Sequence, residues 1–219
     1  MSPGDAALEA LLELLSDPRA PIAASTVGSA RDVHIADSLS GLEIGALRTA
    51  ERVADLGSGA GLPGLILAAE LPEVRFELIE SISRRCEFLR EAIRRMELPN
   101  AGIVCERSED WARGAGREAY DVVTARAVGR LSTLAELASP LLREGGMLVA
   151  WKGGRSSREE AELARAADRL AMEAVEIRSV RPFPASRERH IHLLRKNGPT
   201  PSALPRRAGM AAKRPFGLE

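Results

Sequence analysis

Chemistry is concentrated in the run Val53-Ala54-Asp55-Leu56-Gly57-Ser58-Gly59-Ala60-Gly61-Leu62-Pro63-Gly64. An apolar stretch suited to a strand enters a turn with glycine at alternate positions, and a helix-forming stretch follows. Glycine opens backbone conformations closed to other residues and lets a ligand lie against the main chain. The spacing is G-x-G-x-G. A dinucleotide fingerprint, G-x-G-x-x-G, would need glycine where Leu62 stands. Asp55, two residues before Gly57, would repel a pyrophosphate. It suits a cationic ligand such as the amino group and sulfonium of S-adenosylmethionine. Glu80 closes the next apolar run, where a carboxylate can accept both ribose hydroxyls of an adenosine. Ser108 and Glu109 follow the third run, where a polar side chain or backbone amide can meet adenine. Together Asp55, Gly57, Gly59, Gly61, Glu80, Ser108 and Glu109 predict a site for the methyl donor.

The acceptor is narrowed by what is missing. In such folds the reacting groups lie past the carboxyl ends of the strands. After the fourth run the chain reads Thr124-Ala125-Arg126-Ala127, without the Asn/Asp-Pro-Pro-aromatic motif typical of amine methylation. Cys86 falls on a predicted helix and Cys105 inside a predicted strand, so neither is placed as the nucleophile of pyrimidine carbon-5 methylation. Lys152 is the one lysine of the central region, so the Lys-Asp-Lys-Glu set of ribose methylation cannot form. Guanine N7 fits what remains. Its lone pair carries no proton, so orientation of two reactants suffices, and proximity alone can supply up to ~7–11 kcal/mol. Arg126 and Lys152, at the ends of adjacent central strands, are cations available for guanine O6, a phosphate or the cofactor carboxylate. Arg126 as a structural ion-pair partner and Lys152 as a solvated strand end are the alternatives. His190 and His192 share a strand face as a metal pair would, but no third ligand is evident, and no metal is expected. His34 with Asp37-Ser38 reads either as a helix cap or as a lid over the site. Trp111 and Trp151 read as core before base-stacking platforms.

The elements that must position these groups follow from periodicity. Helices are expected over 6–15, closed by Pro18 and Pro21, and over about 33–48. Seven strands follow: 52–56, 75–79, 103–106, 120–124, 147–151, about 175–182 and 189–195. Helices are expected over about 63–70, 83–97, 130–142 and 157–171, with Gly145-Gly146 as a sharp turn into the fifth strand. Strand–helix alternation argues a parallel sheet covered on both faces. The last two strands are joined by too short a connection for a parallel crossover and should pair antiparallel. The expected fold is α/β: a Rossmann-like, seven-stranded class I S-adenosylmethionine-dependent methyltransferase with an antiparallel last strand. A helical cap (1–48), the methyltransferase domain (49–196) and a basic Pro-rich tail without periodicity (197–219) divide the chain.

Among 219 residues, 31 basic and 31 acidic side chains cancel, so no global basic bias marks a nucleic-acid binder. Any affinity for phosphate must come from a local patch, and six of the basic residues lie from Arg195 onward. Two cysteines do not suggest a disulfide scaffold. No signal peptide and no membrane-spanning run is visible, which points to a reduced, cytoplasmic setting.

The motifs closely resemble those of the bacterial ribosomal RNA small-subunit methyltransferase G family, also called glucose-inhibited division protein B. The matching elements are His34-x-x-Asp37-Ser38-Leu39, the Asp55–Gly64 loop, Ser83-Arg84-Arg85-x-x-Phe88-Leu89, Ala125-Arg126-Ala127, Trp151-Lys152-Gly153, Glu188-Arg189-His190 and Pro205-Arg206-Arg207-Ala208-Gly209-Met210 with Lys213-Arg214-Pro215. The resemblance implies methylation of N7 of a guanine in the 530 loop of 16S rRNA, on the small ribosomal subunit or its RNA, by a monomer. It places cofactor contacts at Gly57, Leu62, Ser108, Glu109 and Arg126. Arg126, Lys152 and His190 would orient the substrate without a general base. Arg189, Arg206, Arg207, Lys213 and Arg214 would meet the RNA. Ile22-Ala23-Ala24-Ser25-Thr26-Val27 departs from the family's aromatic-Asn-Leu-Thr segment, and Ala60 stands where many members have Pro. A small-molecule methyltransferase, or a non-catalytic ribosome-binding protein with a vestigial loop, are the other readings.

Overall fold

A computed structural model describes residues 3–17, 20–21, 30–184, 186 and 189–218. Pro18, the Ile22–Val27 segment and Glu188 lie outside the described residues. Seven strands form one sheet: β1 (Arg52–Leu56), β2 (Arg75–Ile79), β3 (Ala101–Val104), β4 (Tyr120–Arg126), β5 (Leu142–Lys152), β6 (Met172–Val180) and β7 (Arg189–Lys196). Their order is β3-β2-β1-β4-β5-β7-β6. The first five run parallel, and β7 lies antiparallel between β5 and β6. The expected class I arrangement is the one observed. Order reverses beside β1, and this switch point is where a ligand crevice opens in such sheets.

Strand side chains alternate between two cores. Val53, Phe76, Val122 and Val149 point to a face covered by α1 (Pro3–Leu15), α4 (Gly64–Glu70) and α5 (Ser83–Arg95). Ala54, Val123, Leu148 and Ala150 point to the other, covered by α7 (Leu131–Ala138) and α8 (Ser157–Leu170). Ser156 caps α8 by accepting from the Glu159 amide, and Ala171 ends it in a left-handed conformation.

Several expectations are corrected. The stretch 33–48 is not one helix. A π-helical turn (Ala30–Ile35), α2 (Ala36–Leu39), a 3-10 turn (Ser40–Glu43) and α3 (Gly45–Arg48) succeed one another. The break has a tertiary cause. Gly41 lies so close to the Trp151 ring that a Cβ there would come within 2.5 Å of it, and Trp151 Nε1 donates to the Asp37 carbonyl at 2.8 Å. Trp151 is core, as its bland reading had it. β3 begins two residues earlier than expected, so Cys105 sits just past its end. There it is joined to Cys86 of α5 in a disulfide, with a Cα–Cα distance of 5.9 Å. The sequence suggests no disulfide; one forms because Cys86, in the first turn of α5 after β2, lies beside the carboxyl end of β3, which pairs parallel with β2. Gly145-Gly146 lies inside β5 rather than before it, where pairing with β4 slips between Tyr120 and Val122.

The tail is also ordered. It contains a short helix, α9 (Met210–Lys213), and buries Leu204 and Phe216 in the second core. Its first residues hang on a buried cation. Lys196 is fully buried and donates to Glu118 at 2.8 Å, to the Leu142 carbonyl at 2.7 Å and to Thr200 Oγ1 at 2.6 Å. The Lys196 and Thr200 bonds hold the Glu118 carboxyl down from 4.5 to about 2. A depressed folded pKa contributes stability that is present above 4.5 and lost as pH falls toward about 2. Glu118→Gln should therefore destabilise the fold at neutral pH by about 1 kcal/mol, a figure discounted for solvent screening because the Glu118 side chain is 39% exposed. Thermal melts should show the gap between variant and parent closing as the solution is acidified; a gap independent of pH would rule the ion pair out as its source.

Candidate cofactor and acceptor sites

Two cavities open at the carboxyl edge of the parallel strands. The first, about 200 Å³, is bounded by Leu56 and Gly57 at the end of β1, Glu80 and Ser81 just after β2, and the segment Glu106–Glu109 after β3. Val128, Thr133 and Leu137 form another wall, and Gly209, Ala211 and Ala212 of the tail close it. The second, about 280 Å³, is lined by His34, Asp37, Arg126, Ala127, Gly129, Trp151, Lys152, Gly153 and Arg189. The residues 126–129 that follow β4 separate the two. Ala127 takes φ +58° there, a left-handed backbone that costs a non-glycine residue strain.

Glu80 is the best-prepared group in the first cavity. It is 4% exposed. Its carboxylate accepts from the amides of Gly59 at 3.1 Å, Ser81 at 2.7 Å and Ile82 at 2.9 Å, with Arg85 at 3.5 Å. These donors keep the charged acceptor fixed where the ribose of an adenosine would lie. Ser108 and Glu109 open the short helix α6 (Ser108–Trp111), both buried, with Ser108 Oγ donating to Glu109 at 3.2 Å. The residues fit an adenosyl ligand: a preoriented carboxylate for the diol, polar groups past β3, and apolar walls for the base.

Asp55 is placed differently from the expectation. It lies beneath the glycine loop, 1% exposed and outside both cavities, with Oδ1 accepting from Thr124 at 2.7 Å. Burial pushes its carboxyl up, and the Thr124 bond opposes this. A Cβ on Gly64 would come 2.7 Å from Asp55 Oδ2, so the glycine lets α4 start directly above the carboxylate. Asp55 supports the loop from beneath and lines neither cavity. Gly57, at φ +68°, is the loop glycine that faces the cavity. Gly59 contributes its amide to Glu80, Gly61 abuts Leu65, and Leu62 is buried in the first core.

In the second cavity Arg126 is 14% exposed at its side chain. It donates to the His34 carbonyl at 3.2 Å and pairs with Asp37 at 3.3 Å. Burial lowers its pKa, and Asp37 counteracts this. Burial and then the Arg126 charge also lower His34, keeping it neutral at ordinary pH. The His34–Ser38 stretch packs over the ends of β4 and β5, and no side chain caps the start of α2. Lys152 is not a solvated strand end. It bonds the Gly129 carbonyl at 2.9 Å and Glu159 at 2.9 Å. His190 Nδ1 lies 3.1 Å from the Gly153 carbonyl and faces a neighbouring cleft of about 490 Å³ together with Arg155, Arg181 and Arg189. Arg189 borders this cleft and the second cavity. Among the described residues no group of three or more His, Cys, Asp or Glu could hold a metal.

The tail cations divide. Arg206 is withdrawn into a bidentate pair with Glu136, so its expected contact with RNA does not match its position. Arg207, Lys213 and Arg214 are exposed. Sequence reasoning missed the tail's share of the first cavity, because Gly209, Ala211 and Ala212 carry no chemical signature. Thr133 and Leu137 read only as helix residues.

A family model described as rRNA small subunit methyltransferase G matches residues 10–197. The chain belongs to that family. Among its relatives, the Ribosomal RNA small subunit methyltransferase G of Thermotoga neapolitana is 39% identical over 94% of this chain and 88% of its own length. That of Syntrophomonas wolfei is 41% identical over 84% and 85%, and that of Rubrobacter xylanophilus 43% over 84% and 72%. Solved structures share the fold. A variant of MtNAS in complex with S-adenosylmethionine aligns with TM-score 0.58 at 15% identity, over 89% of this chain and 73% of that one. The Methanococcus jannaschii fibrillarin pre-rRNA processing protein aligns with TM-score 0.54 at 16% identity, over 70% and 69%. The fold and the family make S-adenosylmethionine the cofactor.

Glu80→Gln turns an acceptor toward three amides into a group with one acceptor and one donor. Cofactor affinity measured by calorimetry should fall by about tenfold or more, the scale of one lost charge-assisted hydrogen bond. Unchanged affinity in a folded variant would remove the ribose from this cavity.

Proposed function

We propose that the chain transfers a methyl group from S-adenosylmethionine to N7 of a guanine in 16S rRNA, acting as a monomer on the small ribosomal subunit or its RNA in the cytoplasm. The observation that carries this reading is the pairing of the two cavities. One is furnished for adenosine. The other is walled by Arg126, Lys152 and Arg189, and its carboxylate, Asp37, is already engaged by Arg126. Among the described residues the acceptor side thus offers cations and no unpaired carboxylate. That suits a nucleophile that arrives with a free lone pair and no proton to lose.

S-adenosylmethionine supplies an electrophilic methyl on a sulfonium. The residues of the chain bind and orient. Glu80 accepts from the ribose hydroxyls, and Ser108 and Glu109 border the adenine. Arg126 stands at the junction of the cavities, where it can hold the cofactor carboxylate. Lys152 and Arg189 face the acceptor, where they can hold guanine O6 or a phosphate; these are the acceptor atoms that cations read on guanine. With both reactants held, in-line transfer needs no general base, and restricted motion contributes on the order of 7–11 kcal/mol. Of the tail, Arg207, Lys213 and Arg214 remain as phosphate contacts. We assign residues 1–48 to a cap, 49–196 to catalysis and 197–219 to an appended segment.

Two results test the reading. Mapping of 7-methylguanosine should show one modified guanine in 16S rRNA that is absent without this protein and restored by it; methylation of a different atom or molecule would overturn the assignment. Arg189→Ala should weaken RNA binding and flatten its salt dependence by about one charge while sparing cofactor affinity. An unchanged salt slope would place Arg189 away from phosphate.

A further inference from the structure

The family match ends at residue 197, yet the chain beyond it closes the cofactor cavity. Three sets of contacts fold this segment back. Arg206 donates Nε and Nη2 to Glu136 of α7 at 2.6 Å each, and its guanidinium lies 4.0 Å from the centre of the Phe216 ring. Arg113 reaches the Arg206 carbonyl at 2.8 Å, and Arg165 reaches the Gly217 carbonyl at 2.7 Å. Gly217, at φ +84°, lies so near the Glu162 backbone that a Cβ would come within 2.0 Å of its carbonyl oxygen. The third set is at the cavity itself. The Gly209 amide donates to Glu109 Oε1 at 2.7 Å, and Thr133 Oγ1 donates to the Ala211 carbonyl at 3.2 Å.

Glu109 and Thr133 are cavity walls, and both hold the tail. A segment that only decorated the surface would have no reason to end its hydrogen bonds on the groups that border the base. We infer that residues 204–217 are a clasp on the adenosine end of the cofactor cavity, anchored by Arg206 on Glu136 and joined to the cavity through Gly209 on Glu109. The inference rests on the reading of this cavity as the cofactor site. Arg206 acts through the segment it anchors and is a positioning residue. A preformed wall lowers the ordering cost that a ligand would otherwise meet on binding.

The test is equilibrium binding of S-adenosylhomocysteine to the full chain, to Arg206→Ala, to a chain ending at Ala203, and to Arg90→Ala as an exposed control on α5, with thermal melts of each. Arg206→Ala and the shortened chain should bind about tenfold more weakly or worse, with a single cooperative melt retained. Arg90→Ala should match the full chain. Affinities of folded Arg206→Ala and the folded shortened chain within about twofold of the full chain would overturn the clasp alone. Absence of binding by the full chain would overturn the cofactor reading and the clasp with it. If the shortened chain does not fold, Arg206→Ala and Gly209→Val decide. Gly209, at φ +80° with open space around its Cβ position, would respond to valine through backbone strain that pulls its amide from Glu109. Unchanged binding by those two variants would then refute the proposal.

Discussion

Glu80 ends β2 as a nearly buried carboxylate, and three backbone amides converge on it. One comes from the glycine loop after β1 and two from the turn after β2 itself. A buried charge of this kind is tolerable only when its lone pairs are met. The loop therefore cannot relax without exposing the carboxylate to an unsatisfied state, and the carboxylate cannot turn without releasing the loop. The neighbouring pieces depend on this lock. Gly57 must take a positive φ to bring the amides round, and Gly64 must lack a side chain for α4 to begin over Asp55. Asp55, expected from the sequence to face a positive charge, lies outside both cavities. The loop closes over it, and its carboxylate is used from below, against Thr124.

What the sequence made legible is what depends on near neighbours in the chain. Strand alternation at Val53-Ala54 and Val122-Val123 fixes which face each residue covers, and the glycine loop with Glu80 is a local signature. The broken segment 33–48 shows where this stops. Its apolar spacing is helical, but Gly41 and Asp37 are held by Trp151, more than a hundred residues away, and that contact outweighs propensity. The tail was unreadable for the same reason: Pro, Gly and Arg without periodicity say nothing of Glu136 or Glu109. The Cys86–Cys105 link needed the two-residue shift of β3 and the parallel pairing of β2 with β3 that sets the start of α5 beside Cys105, neither of which is written locally.

Charge follows the same rule. A formal net charge of zero argues against a general affinity for RNA, and several of the cations are also engaged in ion pairs inside the fold. Arg126 with Asp37, Lys196 with Glu118 and Arg206 with Glu136 all join residues far apart in sequence. Counting these cations toward an RNA-binding face would overstate it. Cations facing the solvent beside the acceptor cavity, such as Arg181 and Arg189, set the local field, and at physiological salt that field reaches only about 8 Å.

The paired cations still matter, because one of them ties the N-terminal segment to the sheet beside the second cavity. Arg126 leaves the sheet at the boundary between the cavities, and its partner, Asp37, belongs to the N-terminal segment. With that segment docked, Arg126 is neutralised, and His34, Asp37 and Trp151 form one wall of the acceptor cavity. With it undocked, a half-desolvated guanidinium would lose its carboxylate and the wall together. The next residues, Ala127 to Gly129, pass from the acceptor side to the cofactor side within a strained turn. A shift of Arg126 on one side therefore reaches Val128 on the other through two peptide bonds. The second cavity is thus a joint product of the N-terminal segment and the sheet, while the first is a joint product of the sheet and the tail, and the turn after β4 borders both.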